Sequence, residues 1–247
     1  MKKAGSFFSG TSNIVVPVKN KTCYPPDYQD KTRLCFYASL FNSLEVNSTF
    51  YKMPLKRTIE KWTGEVPDDF RFTFKLLNAV THASPQAFNL QQVPEFMDRI
   101  NGTEKKGCVL VQLPPKFGID LFQLGSLLAE LTGTWPLAVE FRNPSWYTDE
   151  VFRLLNDHQA TMVIHDMPRS RAPIELTSDQ TVYLRFHGPE GGYRGSYDDD
   201  FLAEYAWYIN EWIQDGKTVY AYFNNTMGNA VQNLLTLNKF VHEGLGV

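Results

Sequence analysis

Tyr183-Leu184-Arg185-Phe186-His187-Gly188 is a short apolar run that ends on Arg, His and Gly. Such a run reads as a buried strand that delivers polar side chains at its C-terminal end. The same design recurs on both sides of it. Leu44-Glu45-Val46-Asn47, Thr73-Phe74-Lys75, Leu110-Val111-Gln112, Val139-Glu140-Phe141-Arg142, Val163-Ile164-His165-Asp166 and Tyr222-Phe223-Asn224-Asn225 all follow it. Successive strand ends lie 21 to 37 residues apart. That spacing fits βα units, because a parallel crossover takes roughly a dozen residues or more.

Helical stripes fill the gaps. Leu34, Tyr37, Ala38 and Phe41 form one, and Leu121, Leu124, Leu127, Leu128 and Leu131 the clearest. Phe7 to Ser12 reads as the first strand, and Ser43 to Tyr51 as the second, ended by Pro54. Asn78 to Asn89, with His82 and Pro85, reads as a loop, as do Met167 to Ser178 and the long Gly-rich Gly188 to Asp200. Thr148 suits the N-cap of the helix that carries Val151, Leu154 and Leu155. The expected fold is α/β: one (β/α)8 TIM-type barrel, with room for irregularity, spanning residues 1–247 as a single domain. An open doubly wound sheet is the runner-up. It would carry a Gly-rich phosphate fingerprint after the first strand, and the sequence has none there.

The totals narrow the class. Of the 247 residues, 43% are hydrophobic, enough for a large core. A net charge of −3 gives no sign of a protein that coats polyanions. Cys23, Cys35 and Cys108 are an odd count without metal-type spacing, which fits a reducing compartment. The apolar run after Met1-Lys2-Lys3 is too short for a signal peptide, and no run is long enough for a bilayer. The expectation is a cytoplasmic protein with no membrane partner.

In a barrel of this kind the site lies at the C-terminal ends of the strands. Side chains two apart on a strand share a face. Glu45 then sits with Asn47, Thr73 with Lys75, Glu140 with Arg142, and Arg185 with His187. The catalytic candidates are Glu45, Glu140 and His187, the two carboxylates as acid and base. The substrate-binding candidates are Asn47, Lys75, Gln112, Arg142, Asp166, Arg185, Asn224 and Asn225, the arginines suiting bidentate capture of phosphate or carboxylate. A divalent metal on Glu45, Glu140, Asp166 and His187 is the weaker alternative, since the neighbouring arginines repel a cation. No metal site or cofactor is assigned.

The bland alternative is an internal ion network plugging the barrel. Arg185→Ala separates the two: a ligand role implies lost binding in a folded chain, an ion network implies unfolding. His165 should face away from Asp166 and read as a packed or helix-facing histidine, and Cys108 as a core residue. His82 is a modest candidate. Tyr193, Arg194 and Tyr197, exposed in the Gly-rich loop, suit a lid or ligand contact, and Trp146 and Tyr147 could wall the pocket.

At these residues the sequence resembles the DUF72 or YecE-like family. The matching segments are Gly10-Thr11-Ser12, Leu44 to Tyr51, Phe72 to Lys75, Val111 to Pro115, Val139 to Trp146, Tyr183 to Gly188 and Tyr222 to Asn225, in the family's order. The chain departs from the pattern at Asn13-Ile14, where the family continues with Gly-Trp, and at Asn143, where it commonly carries His. The resemblance implies a TIM-type barrel and brings no activity or catalytic residues. The functional expectation is an enzyme, a hydrolase as first guess, acting on a small anionic or phosphate-bearing substrate at the barrel mouth. The alternatives are a nucleic-acid binder using the same basic cleft and a glycosidase-like carboxylate pair. Oligomeric state is not legible.

Overall fold

The structure is a computed structural model that describes residues 4–83 and 87–246. Its strands are β1 Ser6–Thr11, β2 Ser43–Val46, β3 Arg71–Lys75, β4 Lys106–Gln112, β5 Leu137–Glu140, β6 Thr161–His165, β7 Thr181–Phe186 and β8 Thr218–Phe223. The helices are α1 Arg33–Ala38, α2 Lys56–Gly64, α3 Asn78–Thr81, α4 Val93–Ile100, α5 Leu121–Leu131, α6 Asp149–Asp157, α7 Asp199–Gln214 and α8 Ala230–Leu245. The eight strands form one parallel sheet in the order β1-β8-β7-β6-β5-β4-β3-β2. Its two ends meet to make a nearly closed α/β barrel.

That closing seam has its own chemistry. β1 and β2 share only a bridge between Ser12 and Glu45 and a hydrogen bond from Asn13 N to Glu45 O (2.8 Å). Side chains supply the rest. Tyr37, from α1, accepts from Thr11 N (2.7 Å) and donates to Ser43 O (3.0 Å). Asn42 accepts from Ser9 N (2.8 Å) and donates to Phe7 O (2.9 Å). A Cβ on Gly10 would lie 2.0 Å from Ser43 O, so only glycine lets the strands approach here.

Two cores result. The larger packs helices onto the outer face of the sheet. The smaller fills the barrel with Cys108, Leu110, Ala138, Val163, Tyr183, Tyr220 and Tyr222 over Phe8. This interior is partly polar: the Tyr222 hydroxyl lies between Ser43 Oγ and Thr73 Oγ1.

Two elements differ from the sequence reading. β2 stops at Val46, and Asn47–Phe50 is a 3₁₀ turn instead of more strand. Thr49 Oγ1 turns the chain by donating to Val46 O (2.9 Å) and Lys75 O (2.7 Å). The stretch from Asn78 begins with the single turn of α3, and Pro85, read as part of that loop, lies outside the described residues. The Thr148 cap is present, its side chain accepting from Val151 N. Among the described residues no helix is long and apolar enough to cross a membrane.

Tyr37→Phe would leave the buried Thr11 N–H at the seam without its Tyr37 acceptor. The expected cost is about 1–3 kcal/mol. It should appear as a lower urea midpoint at unchanged slope.

Candidate functional site

β7 carries Arg185 into the barrel axis, where it is 1% exposed. Its Nε and Nη2 grip Glu45 of β2 (2.9 and 2.6 Å), and its Nη1 bonds Glu140 of β5. Glu45 also accepts from Ser12 Oγ and Tyr183 OH, both at 2.6 Å. Both carboxylates are fully buried. Arg142, two residues beyond Glu140, donates through Nε to the same carboxylate. Burial opposes ionisation of Glu140, but the guanidiniums of Arg142 and Arg185 outweigh it and hold its carboxyl well below the usual range.

His187 lies above this network, fully buried. Asn224 Nδ2 lies 3.0 Å from its Nδ1, and its Nε2 lies 3.3 Å from Arg142 Nη2 and 3.6 Å from Glu140 Oε1. Burial pushes the His187 pKa down to about 3 against the attraction of Glu140, with Arg185 and Arg142 adding to the fall. The ring is neutral at pH 7. Lys75 lies at the end of β3 with Nζ donating to Gln112 Oε1 (2.7 Å) and 4.1 Å from the centre of the Phe50 ring. Burial, helped by Arg185, lowers its pKa to about 8.

The mouth opens into a cleft of about 620 Å³ walled by Gln112, Arg142, Arg169, Glu190 and Tyr193, among others. The Tyr193 ring stands 5.8 Å from the His187 ring. Of the expected site residues, Glu45, Glu140, Arg142, Arg185, His187 and Asn224 converge in one bonded cluster, with Lys75 and Gln112 paired beside it. Asn47 is half-buried on the 3₁₀ turn, its Oδ1 without a partner among the described residues.

Two residues point elsewhere. Asp166 accepts from His187 N (2.7 Å) and from the Tyr197 hydroxyl. Asn225 donates to Gly195 O (3.2 Å) and Asn233 Oδ1 (3.1 Å). Both pin the loop after β7. Tyr197, expected to be exposed, is therefore a buried anchor. Gly188 at the loop's start has φ +102°, and a Cβ there would meet Arg194 O at 2.0 Å.

His165 shares a register position with Arg185 and so takes the inner face, in place of the expected helix side. Its Nε2 donates to Phe141 O (2.8 Å) and its Nδ1 accepts from Met167 N (3.2 Å). Trp146 is core, stacked on Phe117 and Phe141 and not on the cleft. Arg169 was not among the sequence candidates: it lies in the irregular segment after β6, which has no periodicity to read. The four groups of the weaker metal reading do not converge, because Asp166 faces the loop.

The sequence model of the family described as "Protein of unknown function DUF72" matches residues 9–245. The chain belongs to this family. Among curated DUF72 relatives, UPF0759 protein YunF of Bacillus subtilis is 28% identical over 238 residues, covering 83% of this chain and 84% of that protein. A DUF72 family protein from Thermotoga maritima superposes with a TM-score of 0.77 at 26% identity, over 96% of this chain and 99% of the other. Another from Enterococcus faecalis V583 reaches 0.80 at 22% identity, over 96% and 95%. The DUF72 description names no substrate or reaction.

Arg185→Ala would leave Glu45 and Glu140 buried without their shared cation. The expected loss is about 3–5 kcal/mol, read from urea unfolding. His187 gives a pH test. Its folded pKa of about 3 lies below the unfolded value of 6.5, so the unfolded chain binds the proton first. Its contribution is whole above pH 6.5 and is lost as pH falls toward 3. In His187→Asn the fall of stability with acid in that window should be shallower, by up to about 1.4 kcal/mol per pH unit.

Proposed function

We propose that this DUF72 chain is an enzyme that binds a small anionic substrate, bearing carboxylate or phosphate, in the cleft at the barrel mouth. One observation carries the reading: the charge left over there is positive. Glu45 and Glu140 are balanced by Arg185 and Arg142. Lys75 is then a buried cation with no carboxylate within salt-bridge distance among the described residues. Arg169 adds a second surplus charge on the cleft wall, and Glu190 is the one carboxylate lining that wall among the described residues.

In this reading Arg142 and Arg169 hold the anion. Arg142 is fixed through Nε by Glu140, and among the described residues no protein group bonds its Nη1. Asn224 and Arg142 hold the His187 ring from its two nitrogens, and Lys75 serves as the acid–base group because its pKa lies close to neutrality. If the reaction is hydrolysis, Lys75 is the base. The same contacts weigh against a glycosidase-type carboxylate pair, since Glu45 and Glu140 are both bonded to Arg185 and closed to solvent.

The test is calorimetry and thermal unfolding with phosphate, pyruvate and citrate at low salt. At least one anion should bind saturably and raise Tm. Arg142→Gln should weaken it about 10–100-fold, the value of a charge-assisted hydrogen bond. Arg169→Ala, an exposed change that spares the fold, should weaken it too. No binding by any anion, or equal binding in both variants, overturns the proposal.

A further inference from the structure

We propose that Lys75 is a nucleophilic amine that forms an imine with a small carbonyl compound, the acidic group of that compound being held by Arg142 and Arg169. The second anchor rests on the anion-binding reading above; the first stands on the surroundings of Lys75.

The chain contains its own contrast. Lys105 is buried as deeply, but its Nζ donates to Val66 O (3.2 Å), Pro67 O (2.6 Å) and Asp68 Oδ1 (3.0 Å). Three donors meet three acceptors, one of them charged, so Lys105 is a fully bonded structural strut. Lys75 Nζ has one neutral acceptor, Gln112 Oε1, and the face of Phe50. The inner-face carboxylates at its end of the barrel are taken by Arg185 and Arg142. The pull of Glu140 and Glu45 and the Phe50 face favour the charged form, and burial outweighs them.

Burial and the nearby Arg185 favour the neutral amine, with a pKa of about 8. At pH 7 that gives roughly two to three hundredfold more free base than an ordinary lysine. A desolvated lysine on a rigid strand end is how an amine becomes a nucleophile at neutral pH. Lys75 keeps 9% of its surface exposed and stands behind Gln112, which lines the cleft with Arg142 and Arg169, so a substrate would reach the amine past Gln112.

The step balances without an oxidant or reductant. The Nζ lone pair adds to the carbonyl carbon, and the C=O π pair moves to oxygen, which takes a proton. The nitrogen gives up one of its two protons, solvent supplies a second, the C–O bond breaks, oxygen leaves as water carrying both, and C=N forms with one N–H retained. The protonated imine keeps one positive charge where the ammonium was, facing the attraction of Glu140 and Glu45. Such an iminium accepts electrons from the adjacent carbon, so the reactions it supports are those that place a carbanion beside the former carbonyl.

The test is reductive trapping with sodium cyanoborohydride and glyoxylate or pyruvate, with neutral acetaldehyde as control, read by intact mass and peptide mapping. The expected result is a single reduced adduct at Lys75, formed about tenfold or more faster than at exposed Lys19 or Lys31. Its rate should rise with pH through about 8. It should vanish in Lys75→Arg and in Lys75→Gln, whichever folds. Adducts spread evenly over surface lysines overturn the imine, and if anions still raise Tm in the same protein, the anion reading survives. A Lys75 adduct formed equally fast with acetaldehyde keeps the imine and removes the anion anchor. Neither adduct nor anion binding removes both.

Discussion

The interaction on which the rest depends is the clamp of Arg185 between Glu45 and Glu140. Three charges out of water are costly, and they are tolerated because nearly every donor and lone pair has a partner. Glu45 does double work. Its carboxylate holds Arg185, while its backbone oxygen receives Asn13 N across the seam that closes the barrel. Neutralising the centre and closing the sheet are therefore one structural event.

The clamp also fixes what the mouth can offer. With Arg142 added, two guanidiniums answer two carboxylates, and the deep interior carries no net charge. His187, stacked above, is kept neutral by burial. The positive groups at the edge are Lys75 beside Gln112, the outer face of Arg142, and Arg169 on the cleft wall. The loop that carries Tyr193 over His187 is tied down by Asp166, Tyr197 and Asn225 from below, through polar bonds and through the Tyr197 ring packed on Phe186, Phe201 and Phe223.

Much of this was legible in the sequence. Strand ends at regular spacing gave the barrel, and period-two alternation put Glu45, Lys75, Glu140, Arg185 and His187 on one face. The alternation failed at β6. Val163 and Ile164 are both apolar because a barrel strand is buried on both faces. No polar–apolar contrast then says which of His165 and Asp166 looks inward, and the register with β7 selected His165. Arg169 and the anchoring of Tyr197 escaped for another reason. Loop residues have no period, and their partners lie far away in the chain.

The sequence by itself determined the order of the elements, the parallel barrel and the set of polar groups at its mouth, because hydrophobic period and gap length are local properties of the chain. Only the tertiary structure decided which charges cancel. Arg185 meets Glu45 across 140 positions and Glu140 across 45. Partner choice at such separations is set by barrel closure and strand register, which no local pattern encodes. That choice turned an inventory of acids and bases into a neutral core with one unpaired amine at its rim.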